Sequence, residues 1–571
     1  SYKMQEIDAT LAQLAKNRRR WAQTSLRERI EILEAIKART LEVAAIWAET
    51  ASDHKQIPPG SPLRGEEWLS GPYVLISACN GLIETLSRME GKAYLDDLDV
   101  TDVGADQVGV RVVPHSIWDR LLLSGISARI WMEPGVTREN LAEHTASAYD
   151  VPAESRDGSL SLVLGAGNIS SIAPLDCFEK LFSQHSVVVL KLNPVNDYLL
   201  EVFEKALAPL IEFGALAIVT GGLDTGEYLC NHPAVESIHI TGAGSSHDAI
   251  VWGVGEEGAA NKRAGTPRNT RPITSELGAV CPTIVVPGRW TEADIRFQAE
   301  QIATQKLHNS GFNCVACQML VVPADWKQKD DFLAAVKEAM THAPLRGLYY
   351  PGADERIDEF VDAYPEAEVL RGDADTPRCV VVPHAATDDV SLAHGTEVFA
   401  PVLNTLELEG DTAEQYLRAA IDYCNEHLHG TLGANIVIDP ATRRDIASEW
   451  NDLLSELRYG CIAINGWTGL GFLSTQVPWG AYPGHTLDDV QSGIGFVHNT
   501  YMFDNVQRTV VEAPFRPFPR NLLHGSLTLL PRPPWFVTHK RAAEVGRLLT
   551  SFQFKPGWLR LPRIFYHALL G

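Results

Sequence analysis

No stretch of the chain reaches the ~20 consecutive apolar residues that a bilayer-spanning helix needs, and the first sixteen residues lack the apolar core of a secretory leader. Both absences point to an aqueous body and a cytoplasmic setting. Cations are scarce: 49 Lys and Arg face 72 Asp and Glu, for a formal charge of −23. Binding to nucleic acid depends on neutralising phosphates, so no nucleic-acid partner is expected for the body. Cysteines are few, scattered and odd in number, nine in all, which reads as reduced thiols rather than a disulfide framework. Cys314 and Cys317 form one C-x-x-C, but no second such pair or nearby His pair completes a zinc set, and no metal is expected.

What is present is ample material for packing. With 571 residues, 45% of them hydrophobic, the chain can build more than one core, and its length suggests roughly three domains. The amino-terminal part reads as helix. Leu26, Ile30, Leu33 and Ile36 recur at three- and four-residue steps, and Ser25 with Glu28 fits a capping box. From Leu160 short apolar runs alternate with helical stretches: 160–164, 187–190, 215–219 and 238–240 as strands, with a helix over 199–213. That alternation predicts parallel strands with helical crossovers, an α/β class in which nucleotides bind at the carboxyl ends of the strands. Residues 255–271, rich in Gly, Lys and Arg, read as an exposed loop. A second α/β unit follows, with strands near 283–286, 319–322, 379–382 and 434–438 and helices near 291–307 and 330–340.

Chemistry-bearing residues stand out against this background. Cys314 ends the Gly-containing turn Asn309-Ser310-Gly311-Phe312-Asn313-Cys314. On composition alone such a cysteine is more often a buried small hydrophobe than a nucleophile. Gly165-Ala166-Gly167-Asn168 follows the first strand and fits a phosphate loop or an ordinary strand-to-helix turn equally well. Glu276 alone reads as a surface carboxylate, Asn168 alone as a turn former, and His427 and His429 as turn neighbours.

Five motifs in series change that reading. The strand-loop ending at Asn168, the strand-closing Lys191, Glu276-Leu277-Gly278, Asn309-x-Gly-x-x-Cys314 and Glu397-Val398-Phe399-Ala400-Pro401-Val402 together resemble the aldehyde dehydrogenase superfamily, over about residues 14–511. The resemblance implies a Rossmann-like dinucleotide domain, an α/β catalytic domain and a small oligomerisation element. It divides the chain into 1–274, with an oligomerisation hairpin around 122–160 centred on 128–136, then 275–485, a return segment 486–513, and an extension 514–571. It implies oxidation of an aldehyde with NAD: Cys314 as nucleophile, Asn168 with the Cys314 N–H as oxyanion donors, and Glu276 as the base that clears the thioester. Lys191, Thr241, Gly242, Ser245, Glu397 and Phe399 correspond to cofactor-binding positions. The acidic residue that commonly follows Lys191 is missing, so NADP stays open. Trp467, Phe472 and Trp479 fall where family members line the substrate channel, implying an apolar or aromatic aldehyde. Family members are commonly homo-oligomers. A CoA-acylating enzyme is the alternative within the fold, opposed by Glu276, and a non-catalytic scaffold the alternative outside it. Cys317 is a packing residue or, less simply, an oxidation partner of Cys314.

The extension is what the family does not explain. Residues 514–571 hold nine Lys and Arg against Glu544 alone, a net of +8 that leaves −31 for the remainder. Phe515, Trp535, Phe536, Phe552 and Trp558 are among the aromatics interleaved with these cations. Opposite charge and aromatic burial predict a clamp over the acidic body or a neighbouring subunit, wrapping the protein or lining the substrate entrance; peripheral attachment to an anionic membrane is the competing reading.

Overall fold

The computed structural model describes residues 2–344, 346–372 and 376–571. Its amino-terminal helices, Tyr2–Ala22 and Leu26–His54, pack their apolar faces against the first α/β unit. The second begins with the expected capping box: the Glu28 N–H donates to Ser25 Oγ at 3.1 Å, and the Ser25 N–H donates to the Glu28 carboxylate at 3.3 Å.

Two sheets organise the rest. Strands Ile273–Glu276, Ser237–Thr241, Ser159–Leu164, Ser186–Lys191 and Leu216–Val219 lie side by side and parallel, and the short return strand Gly493–Ile494 pairs antiparallel beside Glu276. The expected boundary at 274/275 therefore cuts a strand of this sheet, which runs on to Glu276. The second sheet has eleven strands. Asp99–Gly104, Gln107–Val113, Ser127–Met132 and Val506–Glu512 form an antiparallel set. This set joins, through Val506–Glu512 and Cys461–Ile464, a parallel run that includes Gly433–Val437, Cys281–Val285, Cys317–Pro323, Val402–Leu408 and Cys379–Ala385. Strand Ser127–Met132, the expected oligomerisation hairpin, is paired on both sides within this one chain, and the edge is left to Asp99–Gly104.

Two local expectations are corrected. Residues 255–271 are not a loop throughout, because Gly255–Ala264 is a helix. Glu256 and Glu257 lie in its first turn, Lys262 and Arg263 in its last, and Gly265 ends it in a left-handed conformation, so the charges complement the helix dipole where no apolar period marks the helix. The helix expected over 199–213 is interrupted at Leu207, where Pro209 starts a new segment, Ala208–Phe213. Among the described residues no helix is long and apolar enough to cross a membrane.

The extension closes over the body as a clamp. Helix Glu292–Leu307 opens with a Thr291/Asp294 capping box, and the same fully buried Asp294 carboxylate receives Arg516 at 2.9 and 3.0 Å and also Arg520. Burial alone would raise the Asp294 pKa; the two guanidinium groups outweigh it and hold it below the usual carboxylate range. Further along the same helix Gln298 donates to the Phe515 carbonyl at 2.9 Å, Glu300 pairs with Arg532 at 3.2 Å, and Thr304 Oγ1 accepts the Val537 N–H at 3.1 Å. Helix Ala542–Phe554 then lies so close to Gly65–Trp68 that a Cβ on Gly65 would sit 2.3 Å from the Ala542 carbonyl oxygen.

Asp294→Asn would leave two cations with half their partner. The expected outcome is a loss of about 3 kcal/mol in urea unfolding, with protease cleavage appearing first within 514–571. In the parent protein the Asp294 contribution is present above the unfolded carboxylate pKa near ~4 and is lost as pH falls through the depressed folded value.

Candidate functional site

The turn that leads to Cys314 is built from backbone conformations that most residues avoid. Directly after helix Glu292–Leu307, Asn309, Ser310 and Gly311 all have positive φ, at 54°, 57° and 81°. Gly311 is required twice over: its φ is left-handed, and a Cβ there would lie 2.8 Å from the Ala400 carbonyl group, so the two motifs meet backbone to backbone. Buried polar groups hold this turn. Asn309 Nδ2 donates to the carbonyls of Asn168 at 2.9 Å and Phe312 at 2.8 Å, and its N–H donates to Glu66 at 2.9 Å. Lys55 Nζ donates to the Asn168 carbonyl at 2.7 Å and to Asn309 Oδ1 at 3.1 Å, while Tyr349 also donates to Asn309 Oδ1, at 2.9 Å. Behind them lie two ion pairs, Lys55–Glu67 at 3.0 Å and Arg346–Glu66 at 2.5 Å, with side chains no more than 5% exposed.

Cys314, Asn168 and Glu276 come together at one pocket. The Asn168 amide and the Glu276 carboxyl both lie close enough to the Cys314 thiol to bear on its protonation, and Asn168 Nδ2 donates to the Phe312 carbonyl at 3.1 Å. Burial, then the carboxyls of Glu276 and Glu397, push the thiol well above its ordinary pKa; the Asn168 hydrogen bond acts the other way. Burial and the nearby Asp176 push Glu276 up to about 8, against hydrogen bonds from Trp479 and Cys314. A carboxyl with that pKa can accept a proton near neutrality and give it up again. The wall is mainly apolar, including Leu69, Ile172, Leu470 and the three expected channel residues Trp467, Phe472 and Trp479. Trp535 of the extension joins them.

The remaining expected residues surround the carboxyl ends of the parallel strands. Lys191 closes its strand, with only a 3.5 Å contact to the Leu192 carbonyl as hydrogen bond, and burial lowers its pKa. Ser245 is exposed in the first turn of helix Gly244–Trp252, whose N–H groups suit a phosphate. The Thr241 hydroxyl, by contrast, points inward and donates to buried Asp176 at 2.7 Å, and the Gly242 N–H donates to the Glu276 carbonyl at 3.0 Å. Those two groups are committed inside the protein. Glu397 accepts the Ala279 N–H at 2.9 Å and is raised to about 8 by burial. Gly278 leaves room for it, since a Cβ there would lie 2.0 Å from Glu397 Oε2. Phe399 has φ 49° and is fixed by Arg356, which donates to the carbonyls of Val398 at 2.9 Å and Phe399 at 2.8 Å. Lys191, the helix terminus, Glu397 and Phe399 thus offer a cation, phosphate-binding N–H groups, a hydroxyl-binding carboxyl and an aromatic face. That donor set fits a dinucleotide.

Cys317 faces away from this site, buried in a different core cluster from the one Cys314 adjoins, and both thiols are free. His427 stacks on His394 at 5.4 Å, and among the described residues no group of His, Cys, Asp or Glu could hold a metal ion. Lys55, Glu66, Glu67, Asp176, His308, Tyr349 and Trp535 carry no local sequence signal; each becomes visible only through contacts between distant segments.

Comparison with known proteins shows the family and the fold. The sequence model described as "Aldehyde dehydrogenase family" matches residues 188–482, just over half of the chain. A Staphylococcus saprophyticus protein named as an aldehyde dehydrogenase is 24% identical over 338 residues, which span 55% of this chain and 62% of that relative. Among solved structures, gamma-glutamyl-gamma-aminobutyraldehyde dehydrogenase from Burkholderia cenocepacia aligns with TM-score 0.59 and 17% identity, covering 88% of each chain. Glyceraldehyde-3-phosphate dehydrogenase from Methanocaldococcus jannaschii, complexed with NADP, aligns with TM-score 0.59 and 15% identity over 90% of this chain and 95% of its own. Indole-3-acetaldehyde dehydrogenase of P. syringae, in complex with NAD+, gives TM-score 0.57 and 16% identity over 89% of each chain. At these identities the structures show a shared fold.

Lys55→Met removes one charge of a buried pair and one support of the Asn309 turn. The expected loss in urea unfolding is about 3 kcal/mol. Adding Glu67→Leu should recover part of it, and the double-mutant cycle reads the coupling.

Proposed function

The chain belongs to the aldehyde dehydrogenase family, and on that premise we propose that it oxidises an aldehyde with a largely apolar body to a carboxylic acid, using a nicotinamide dinucleotide. The observation that carries the proposal is the convergence of a partly exposed thiol, a side-chain amide and a carboxyl of raised pKa, Cys314, Asn168 and Glu276, on one apolar pocket. A nicotinamide cofactor, when bound, supplies the acceptor that the oxidation needs; Lys191, Ser245 with its helix terminus, Glu397 and Phe399 would hold it.

The protein's own residues account for the other requirements. As Cys314 Sγ bonds to the aldehyde carbon, its proton passes to Glu276, which lies within reach and has the right affinity. The oxygen gains negative charge in that step, and the Asn168 amide with the Cys314 N–H stabilises it. After oxidation leaves an acyl group on sulfur and Glu276 has released the thiol's proton to solvent, the carboxylate takes a proton from water. Hydroxide attack then breaks the C–S bond and releases the acid and the thiol. The apolar wall keeps bulk water out, so the adduct is sheltered until the base acts. Both dinucleotides appear among the structural neighbours, NADP with the Methanocaldococcus enzyme and NAD+ with the P. syringae enzyme. NAD is the preferred reading here, with NADP the alternative left by the missing acidic residue after Lys191. The Glu276 base favours water over CoA as acyl acceptor.

A panel of aldehydes with NAD, NADP and CoA, followed by the absorbance of reduced nicotinamide, tests the assignment. Cys314→Ala should fall to background, and undiminished turnover in that variant would overturn it. Glu276→Gln should accumulate an acyl adduct on Cys314, visible by mass spectrometry. Steady-state rate in the parent protein should climb with pH and level off above about 8, because only the carboxylate form of Glu276 accepts a proton; that limb should be missing from the Gln variant.

A further inference from the structure

Three buried polar atoms around the substrate pocket have no partner among the described residues: Glu66 Oε2, His308 Nδ1 and Trp535 Nε1. Their residues are 5%, 9% and 7% exposed, and all three line the same pocket as Cys314. They come from three distant segments drawn to one region by the extension. Val537, two residues beyond Trp535, is bonded to Thr304, one helical turn before His308. Glu66 is bonded to the Asn309 N–H, next to His308, and its neighbour Gly65 packs against Ala542. A buried polar group without a partner is costly, so their gathering beside one apolar cavity points to a polar group on a ligand.

The donor and acceptor roles narrow that ligand. One Glu66 oxygen is occupied by the Asn309 N–H at 2.9 Å and Arg346 at 2.5 Å, leaving Oε2 as a free acceptor. Arg346 outweighs burial and keeps this carboxyl ionised. An indole N–H can only donate. Neutral imidazole, favoured for His308 by burial, offers either role at Nδ1. A carboxylate on the substrate would be repelled by Glu66, and an ammonium would leave the Trp535 N–H unpartnered. A hydroxyl both donates and accepts.

We propose that the substrate is an aldehyde carrying a hydroxyl group remote from its carbonyl on an otherwise apolar body, the hydroxyl donating to Glu66 Oε2 and accepting from Trp535 Nε1. The extension is then a specificity element as well as a clamp. This inference rests on the aldehyde-oxidising reading and deepens it.

The test compares n-alkanals with terminal hydroxyalkanals of matched length across a series of lengths. At the best length the hydroxyl should raise kcat/KM by about tenfold or more, the effect of one or two hydrogen bonds made in a buried site. Trp535→Phe keeps the ring and removes the donor, and should bring the hydroxyl-to-plain ratio down about tenfold. Equal use of both series at every length, or a ratio that survives Trp535→Phe, would overturn the proposal and assign the three atoms to bound water. Calorimetric titration of the full chain with hydroxylated and plain carboxylic acids gives a readout independent of turnover. Preferential binding of the hydroxy acid, lost in Trp535→Phe, supports the proposal even where no aldehyde is oxidised, an outcome that would sink the dehydrogenase reading instead. Equal binding of the two acids overturns it.

Discussion

The side chain of Asn309 is the tie on which the site depends. Three successive left-handed residues do not persist without support, and the two that are not glycine each cost of order 1–3 kcal/mol. Asparagine tolerates that conformation better than most residues, and here its amide also bridges the Phe312 carbonyl, two residues before the nucleophile, to the Asn168 carbonyl. One side chain thereby fixes the distance between Cys314 and Asn168, the proposed nucleophile and oxyanion donor, which come from different sheets. The Lys55–Glu67 and Arg346–Glu66 pairs behind it are expensive to bury and contribute little net stability. Their contribution is geometric, because a charged network with few alternative partners has one arrangement.

That arrangement passes outward to the extension. Glu66 supports Asn309 from one side and faces the pocket from the other, while Gly65 beside it carries the contact with Ala542. Helix Glu292–Leu307 leads into the Asn309 turn at its carboxyl end and receives Arg516 and Arg520 on Asp294 at its amino end. The clamp and the nucleophile turn therefore grip the same helix. A segment whose charge is opposite to that of the body is drawn to it at long range, and buried aromatics such as Phe515 against Trp290, with ring centroids 5.3 Å apart, set the final position.

Much of this was legible in the sequence because it is encoded locally. Runs such as Val187–Leu190 and Met319–Val322 are short, apolar and rich in branched residues, and each lies in a strand. The motif residues stand at strand ends or in turns, where the sequence pattern changes. The attraction of the extension to the body was legible too, since net charge survives without coordinates. What could not be read is whatever depends on pairing between distant segments. Nothing about Lys55 distinguishes it from other lysines until Glu67, Asn168 and Asn309 surround it. Helix Gly255–Ala264 was invisible for the opposite reason: it has almost no buried face, so no apolar period betrays it. Thr241 stands at the expected strand end, but Asp176, from another element, takes its hydroxyl.

The electrostatics of the resting site bear on how a thiol of raised pKa could serve as the proposed nucleophile. A permanent thiolate is fast but also the form that oxidants attack. Two carboxyls beside Cys314, Glu276 and Glu397, disfavour it and are themselves raised to about 8. The site is thus poised close to neutral overall, and charge separates only when an aldehyde oxygen is present to receive it beside Asn168. Cys317, three residues on, lies in the strand and packs into another core cluster, whereas the buried Cys281 thiol donates to the Cys314 carbonyl at 3.5 Å. On the proposed mechanism the thiolate is withheld until the substrate arrives, which a base of matched affinity would make possible and a fixed positive charge would not.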